Sequence, residues 1–286
     1  MRAEWAGGRE VAQRDVELTD GRTLHVYDTH PGETTRSVVV WHHGTPNVGP
    51  PPTPLASVAE QLGVRFLGFD RPGYGGSTVH PDRTVASVVG DVAEVLDRLG
   101  VGVAGAMSHS GGGPYALACA ALLPDQVERA VVISSPAAYG GPGFDWFAGM
   151  AEAGVTQNRA ALQGRAALDA LPDDLGDFGF TPGDGSALEG RWAWFLDVVR
   201  PAQATGRAGQ VDDLLASVRP WGFDLRTIAA PVLLLHGTDD RAVPVAHARW
   251  LAGQVPGAWL VERSGDGHIT VMDGAAETLA WLVGAR

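Results

Sequence analysis

Ser110 lies in the run Ser108-His109-Ser110-Gly111-Gly112, with small residues two positions before and two after it. That spacing permits a backbone bend too tight for larger side chains, and a serine at such a bend stands clear of its surroundings. Its hydroxyl could attack a carbonyl carbon if a base took the proton and N–H donors received the charge developing on oxygen. The flanking elements fit. Val101 to Met107 is an apolar run expected as a buried strand, and Gly113-Pro114-Tyr115 opens an apolar, helix-prone segment reaching Leu123. Serine and glycine also cluster in ordinary loops; the order strand, bend, helix is what favours the nucleophile. The start of the helix would aim unpaired N–H groups at the hydroxyl.

Elements that could position such a bend recur along the chain. Val11 to Leu18 and Leu24 to Thr29 flank Thr19-Asp20-Gly21-Arg22 as an expected antiparallel hairpin. Beyond it the pattern alternates: strands at Ser37 to Trp41, Val64 to Phe69 and Val127 to Ser134, helices at Leu55 to Leu62 and Val85 to Leu99. After Pro136 the alternation stops. It resumes near Ile228 with a strand in Pro231 to His236, a helix from Val245, a strand from Ala258 to Glu262 and a last helix from Ile269. The reading is a mostly parallel sheet with helices on both faces, residues 1–135 and 228–286, interrupted by a helical insertion over 136–227.

Within the insertion, helices are expected at Ala160 to Leu171, Gly190 to Val199 and Gln210 to Val218, separated by breakers such as Gly176 to Gly185. The insertion is rich in rings, so it is read as a cap over an apolar cavity, with Trp146, Phe147, Trp192 and Trp194 expected to contact a small-molecule substrate.

In such a sheet the partners of Ser110 should follow later strands. The first such loop, Gly237-Thr238-Asp239-Asp240-Arg241-Ala242-Val243-Pro244, holds two carboxylates, and Ser264-Gly265-Asp266-Gly267-His268 follows the next strand.

Here the chain resembles the α/β-hydrolase fold family over nearly its whole length, most weakly across the cap. His43-Gly44-Thr45-Pro46, Asp70-Arg71-Pro72-Gly73-Tyr74-Gly75-Gly76-Ser77, the bend at Ser110 and the GxxDxxVP run from Gly237 to Pro244 carry the resemblance, in the family's order. It implies Ser110 as nucleophile, Asp240 as acid, His268 as base, and the Thr45 and Gly111 amides as the oxyanion hole. The family acid precedes Val-Pro by three positions, which selects Asp240 over Asp239. His42 and His43 are expected to brace the oxyanion loop, Arg71 to sit in a salt bridge, His109 to pack behind the bend, and His247 to be solvated or structural.

A serine at the bend excludes the relatives that use aspartate there. The resemblance implies a carboxylesterase acting on small to medium, largely apolar esters. Alternatives are a carbon–carbon bond hydrolase, a lactonase, an acyltransferase, a perhydrolase, a proline iminopeptidase-like enzyme, or a non-catalytic small-molecule receptor. Gly44-Thr45-Pro46-Asn47, and Gly111 after the nucleophile, depart from the iminopeptidase pattern of Gly-Gly-Pro-Gly and tryptophan.

Composition narrows the rest. With 21 basic against 33 acidic residues the net charge is −12, so neither nucleic acid nor an anionic membrane is an expected partner. Every basic residue is arginine, which removes lysine Schiff bases, Ser–Lys dyads and lysine P-loops. The single Cys119 is expected to be structural, and no metal-ligand spacing or cofactor motif is present. Met1 to Glu10 lacks the apolar core of a secretory signal, so the expected compartment is the cytoplasm.

Overall fold

The computed structural model describes residues 5–285; Met1 to Glu4 of the expected amino-terminal reading, and Arg286, lie outside the described residues. Among the described residues eight strands form one sheet. They are β1 (Ala12–Glu17), β2 (Thr23–Asp28), β3 (Ser37–His42), β4 (Val64–Phe69), β5 (Ala104–His109), β6 (Val127–Ile133), β7 (Val232–Gly237) and β8 (Trp259–Arg263), in spatial order β1-β2-β4-β3-β5-β6-β7-β8. The β1–β2 and β2–β4 pairings are antiparallel and all others parallel. This is the expected α/β-hydrolase fold.

The inner parallel strands β3 to β7 are mostly buried on both faces, as their apolar runs require, while the edge strand β8 is partly exposed. Helices α1 (Ala56–Gln61) and α2 (Ser87–Arg98), then α3 (Gly113–Leu122), alternate with them, and α9 (Ala246–Gln254) and α10 (Ala275–Leu282) complete the layers. Helix α2 buries Val88, Val92, Val95 and Leu96 on one stripe, and α3, central and almost wholly apolar, is buried from Gly113 to Ala120. Among the described residues no helix is long and apolar enough to cross a membrane.

Two core boundaries differ from expectation by more than two residues. Strand β5 begins at Ala104, not Val101, because Gly100 at φ +65° reverses the chain after α2 and the Val101 N–H returns to the Leu96 carbonyl, 2.9 Å away. The last helix is a 3-10 turn over Thr270–Gly274 before α10 starts.

The insertion is helical but its elements fall elsewhere. Helix α4 (Glu152–Gln163) starts ahead of Ala160 and is separated from α5 (Arg165–Asp169) by Gly164 at φ +110°. Helix α6 (Pro182–Glu189) occupies a stretch expected as a breaker: Thr181 caps it, Pro182 opens it, and the Asp184 side chain returns to the Thr181 N–H in a capping box. The expected Gly190 to Val199 helix is instead α7 (Trp194–Ala204), which continues through Pro201. Helix α8 (Ala208–Val218) packs Val211, Leu214, Leu215 and Val218 against Ala160, Ala161 and Leu168.

Candidate active site

Ser110 follows directly on β5, and its φ of +53° lies in the left-handed region that non-glycine residues avoid, at a cost of about 1–3 kcal/mol. The neighbours explain how the bend is held. A Cβ on Gly112 would stand 2.1 Å from the His42 carbonyl oxygen, and one on Gly113 would stand 2.3 Å from Ser135 Cβ. Backbone contact on that side leaves no room to yield. Gly112→Ala is therefore expected to destabilise the fold by about 3 kcal/mol or more, read from the urea midpoint.

His268 lies beyond β8 and Asp240 beyond β7, and the structure brings both to Ser110. His268 Nε2 is 3.0 Å from Ser110 Oγ, and His268 Nδ1 is 2.7 Å from Asp240 Oδ2. Asp240 Oδ1 accepts the Val243 N–H at 2.8 Å, which fixes the carboxylate plane. Burial opposes charge on His268, but the Asp240 carboxylate outweighs it and raises the imidazole pKa above its ordinary value. Burial likewise resists ionisation of Asp240, and His268 and His236 overcome it, holding the carboxyl well below the usual range. Asp239 stays at the surface, accepting the Thr238 hydroxyl.

The loop carrying His268 is held from the cap. Buried Asp184, on α6, accepts the N–H groups of His268 at 3.2 Å, Ile269 at 2.9 Å and Thr270 at 2.8 Å. A Cβ on Gly267 would stand 2.1 Å from Asp184 Oδ2, so glycine is needed for this close approach. Asp184→Ala leaves four N–H groups without this partner, those of His268, Ile269 and Thr270 and that of Thr181 in the capping box, and the expected loss is about 3 kcal/mol together with a lower kcat, checked by chemical denaturation and steady-state kinetics.

Thr45 and Gly111 stand together beside Ser110: the Thr45 amide nitrogen lies 3.4 Å from where a Cβ on Gly111 would be. Gly111 is in the first turn after the bend, where N–H groups lack intrahelical partners. Both residues line a cavity of about 800 Å³ that also exposes Ser110 and His268. Its apolar wall includes Trp146, Phe178, Phe180 and Phe195. Three of the four expected contact rings do not line it. Trp192 is fully buried with Nε1 donating to Asp273 Oδ1, Trp194 packs edge-on to Trp41, and Phe147 packs on Trp146 and Tyr139. The displaced start of α7 is the reason: Trp192 and Trp194 fall on the side facing the core cluster around Trp41.

The other histidines near the site, His42, His43, His109 and His247, are buried. His43 accepts the Arg71 N–H at Nε2, so its Nδ1–H donates to the Gly44 carbonyl at 2.7 Å. His109 lies 4.8 Å from the His268 ring and contacts the His268 carbonyl at 2.9 Å, with burial pushing its pKa down to about 3. His247 is enclosed, not solvated, and accepts the Ala137 N–H at 3.0 Å. Cys119 is buried, which pushes its thiol up to about 12. Arg71 is paired with Asp213 of α8, a residue that sequence reading did not single out, as it did not Asp184. Among the described residues no cluster of histidine, cysteine and acidic side chains could hold a metal ion.

The chain is similar to known proteins over most of its length. Residues 37–275 match the family described as alpha/beta hydrolase fold. The chain is 30% identical to a 2-hydroxymuconate semialdehyde hydrolase of Pseudomonas putida, covering 96% of this chain and 92% of that protein. It is 30% identical to a non-heme chloroperoxidase of Streptomyces lividans, over 82% of this chain and 84% of the other. An enol-lactonase structure from Burkholderia xenovorans superposes with a TM-score of 0.70 at 24% identity, covering 95% of this chain and 100% of that one.

Proposed function

This chain belongs to the α/β-hydrolase fold family, and from that we propose that it is a serine hydrolase, a carboxylesterase acting on small to medium, largely apolar esters. One observation carries the reading: a continuous hydrogen-bonded line from Ser110 Oγ through the His268 ring to Asp240, opening on a cavity bordered by two backbone donors.

In this mechanism Ser110 Oγ attacks the ester carbonyl carbon while His268 Nε2 takes its proton. Asp240 keeps the His268 proton on Nδ1 and stabilises the imidazolium. The carbonyl oxygen becomes an oxyanion facing the Thr45 and Gly111 N–H groups. Collapse breaks the C–O bond to the leaving group, which receives its proton from Nε2 and departs as an alcohol. Water then attacks the acyl carbon, giving a proton to Nε2, and collapse breaks the acyl carbon–Oγ bond, with Oγ taking that proton back as the acid is released.

The lining favours neutral substrates. Among the described residues lining the cavity Arg207 is the one arginine, and Asp173 already faces it at 3.7 Å. A substrate bearing two carboxylates would find little opposing charge there. The Pseudomonas relative supports a second reading, hydrolysis of a carbon–carbon bond beside a carbonyl. Labelling the folded protein with a fluorophosphonate and mapping the adduct tests the shared chemistry. Adduct on Ser110 is expected; an unlabelled, folded protein sinks the hydrolase mechanism and favours a receptor. A panel of p-nitrophenyl esters, lactones and vinylogous diketones then separates the two readings by relative kcat/KM.

A further inference from the structure

The mechanism makes no use of Asp213, yet its carboxylate takes three hydrogen bonds at each oxygen. Oδ1 accepts from Arg71 Nε, Arg83 Nη2 and the Tyr115 hydroxyl, and Oδ2 from Arg71 Nη2, the Tyr74 hydroxyl and the Thr45 hydroxyl. Asp213 belongs to the cap, on α8; every donor belongs to the core. Two guanidinium groups and one carboxylate are thus buried together, an arrangement that desolvation makes costly and that apolar packing could replace as a mere anchor.

The cluster converges on the oxyanion loop. Arg71, held by Asp213, donates to the carbonyls of His43 and Gly44, and Thr45 Oγ1 donates to Asp213 Oδ2 at 2.6 Å. Three consecutive loop residues are therefore tied to one cap carboxylate, directly or through Arg71. A hydroxyl has one proton, so the Thr45 hydroxyl that serves Asp213 cannot also serve the oxyanion; the Thr45 amide remains for that. Gly111 lies close alongside, since a Cβ there would stand 2.4 Å from Thr45 Oγ1. Small shifts of Thr45 would thus move one half of the hole relative to the other.

We propose that Asp213 is a positioning residue for the oxyanion hole: it fixes the Thr45 amide beside that of Gly111, so that seating the cap assembles the hole it covers. This inference rests on the serine-hydrolase reading. A carboxylate that only anchored the cap would affect stability and substrate affinity, whereas one that aligns a transition-state donor acts on kcat.

Thr45→Val keeps the amide donor and side-chain shape but removes the hydroxyl that reaches Asp213. With a p-nitrophenyl ester its kcat is expected to fall by roughly tenfold or more at nearly unchanged KM, and Thr45→Ser should restore most of the loss. Asp213→Asn combined with Arg83→Gln keeps the buried net charge and should show a similar fall. Adding Thr45→Val to that pair should then cost nothing further. Wild-type kcat for Thr45→Val overturns the inference. So does a full additional loss on the doubly substituted background, which would mean that the hydroxyl meets the oxyanion itself. Should the double variant fail to fold, Thr45→Val against Thr45→Ser decides alone. Fluorophosphonate labelling of the wild type separates the two levels: labelled Ser110 with unaltered Thr45→Val kinetics removes only this inference, and unlabelled Ser110 removes the hydrolase reading beneath it.

Discussion

Ser110→Ala is expected to lower kcat for a short p-nitrophenyl ester by about 10⁴- to 10⁶-fold and to abolish fluorophosphonate labelling, while the protein folds and melts close to the wild type. The size of the effect follows from what is lost. Without Oγ there is no covalent intermediate, and the base 3.0 Å away has no proton to take. The residual rate is whatever the cavity and the amides of Thr45 and Gly111 provide to attack by water. Stability should change little, because the positive φ at position 110 is as unfavourable for alanine as for serine and the core packing of β5 and α3 is untouched. Turnover by Ser110→Ala at the wild-type rate would assign the nucleophile elsewhere.

Asp240→Asn is expected to lower kcat by about 10⁴-fold and also to move the pH dependence. The active form of His268 is neutral at Nε2. Its pKa in the wild type is raised above 6.5, because Asp240 outweighs burial, so kcat/KM should rise with pH through a midpoint on the alkaline side of that value. In Asp240→Asn the favourable charge is gone while burial remains, and burial alone disfavours the imidazolium. The midpoint should therefore shift towards acid even as the rate collapses. Asparagine can still accept the Val243 N–H, so the loop should persist. A midpoint that stays in place, measured in buffers of constant ionic strength, would show that Asp240 does not control the charge of His268.

Much of the fold was legible because it is written in local patterns. The two-residue alternation around Asp20-Gly21 folds as the β1–β2 hairpin, and the apolar runs at Ser37 to Trp41, Val64 to Phe69, Val127 to Ser134 and Pro231 to His236 fold, within a residue at either end, as the mostly buried strands β3, β4, β6 and β7. The cap was less legible, since Gly164 breaks one helix and Pro182-Gly183-Asp184-Gly185 starts another. Glycine and proline count against a helix in a propensity sum; at an N-terminus with a threonine cap they are compatible with one. That displacement also moved Trp192 and Trp194 from the expected cavity wall into the core.

The sequence alone carried the expectation of a sheet interrupted by a helical insertion, the bend at Ser110, the exclusion of lysine chemistry and a carboxylate and a histidine beyond later strands, because each rests on neighbours in the chain or on the order of strands; the choice of Asp240 over Asp239 came from the family resemblance. Only the tertiary structure decided which carboxylates hold the site in place. Asp184 meets His268 across 84 residues and Asp213 meets Thr45 across 168; the local capping box with Thr181 marks Asp184 as a helix start only, and nothing local marks Asp213. Their role is fixed by burial beside donors that the fold brings from elsewhere, and helical periodicity carries no record of what a helix will be packed against.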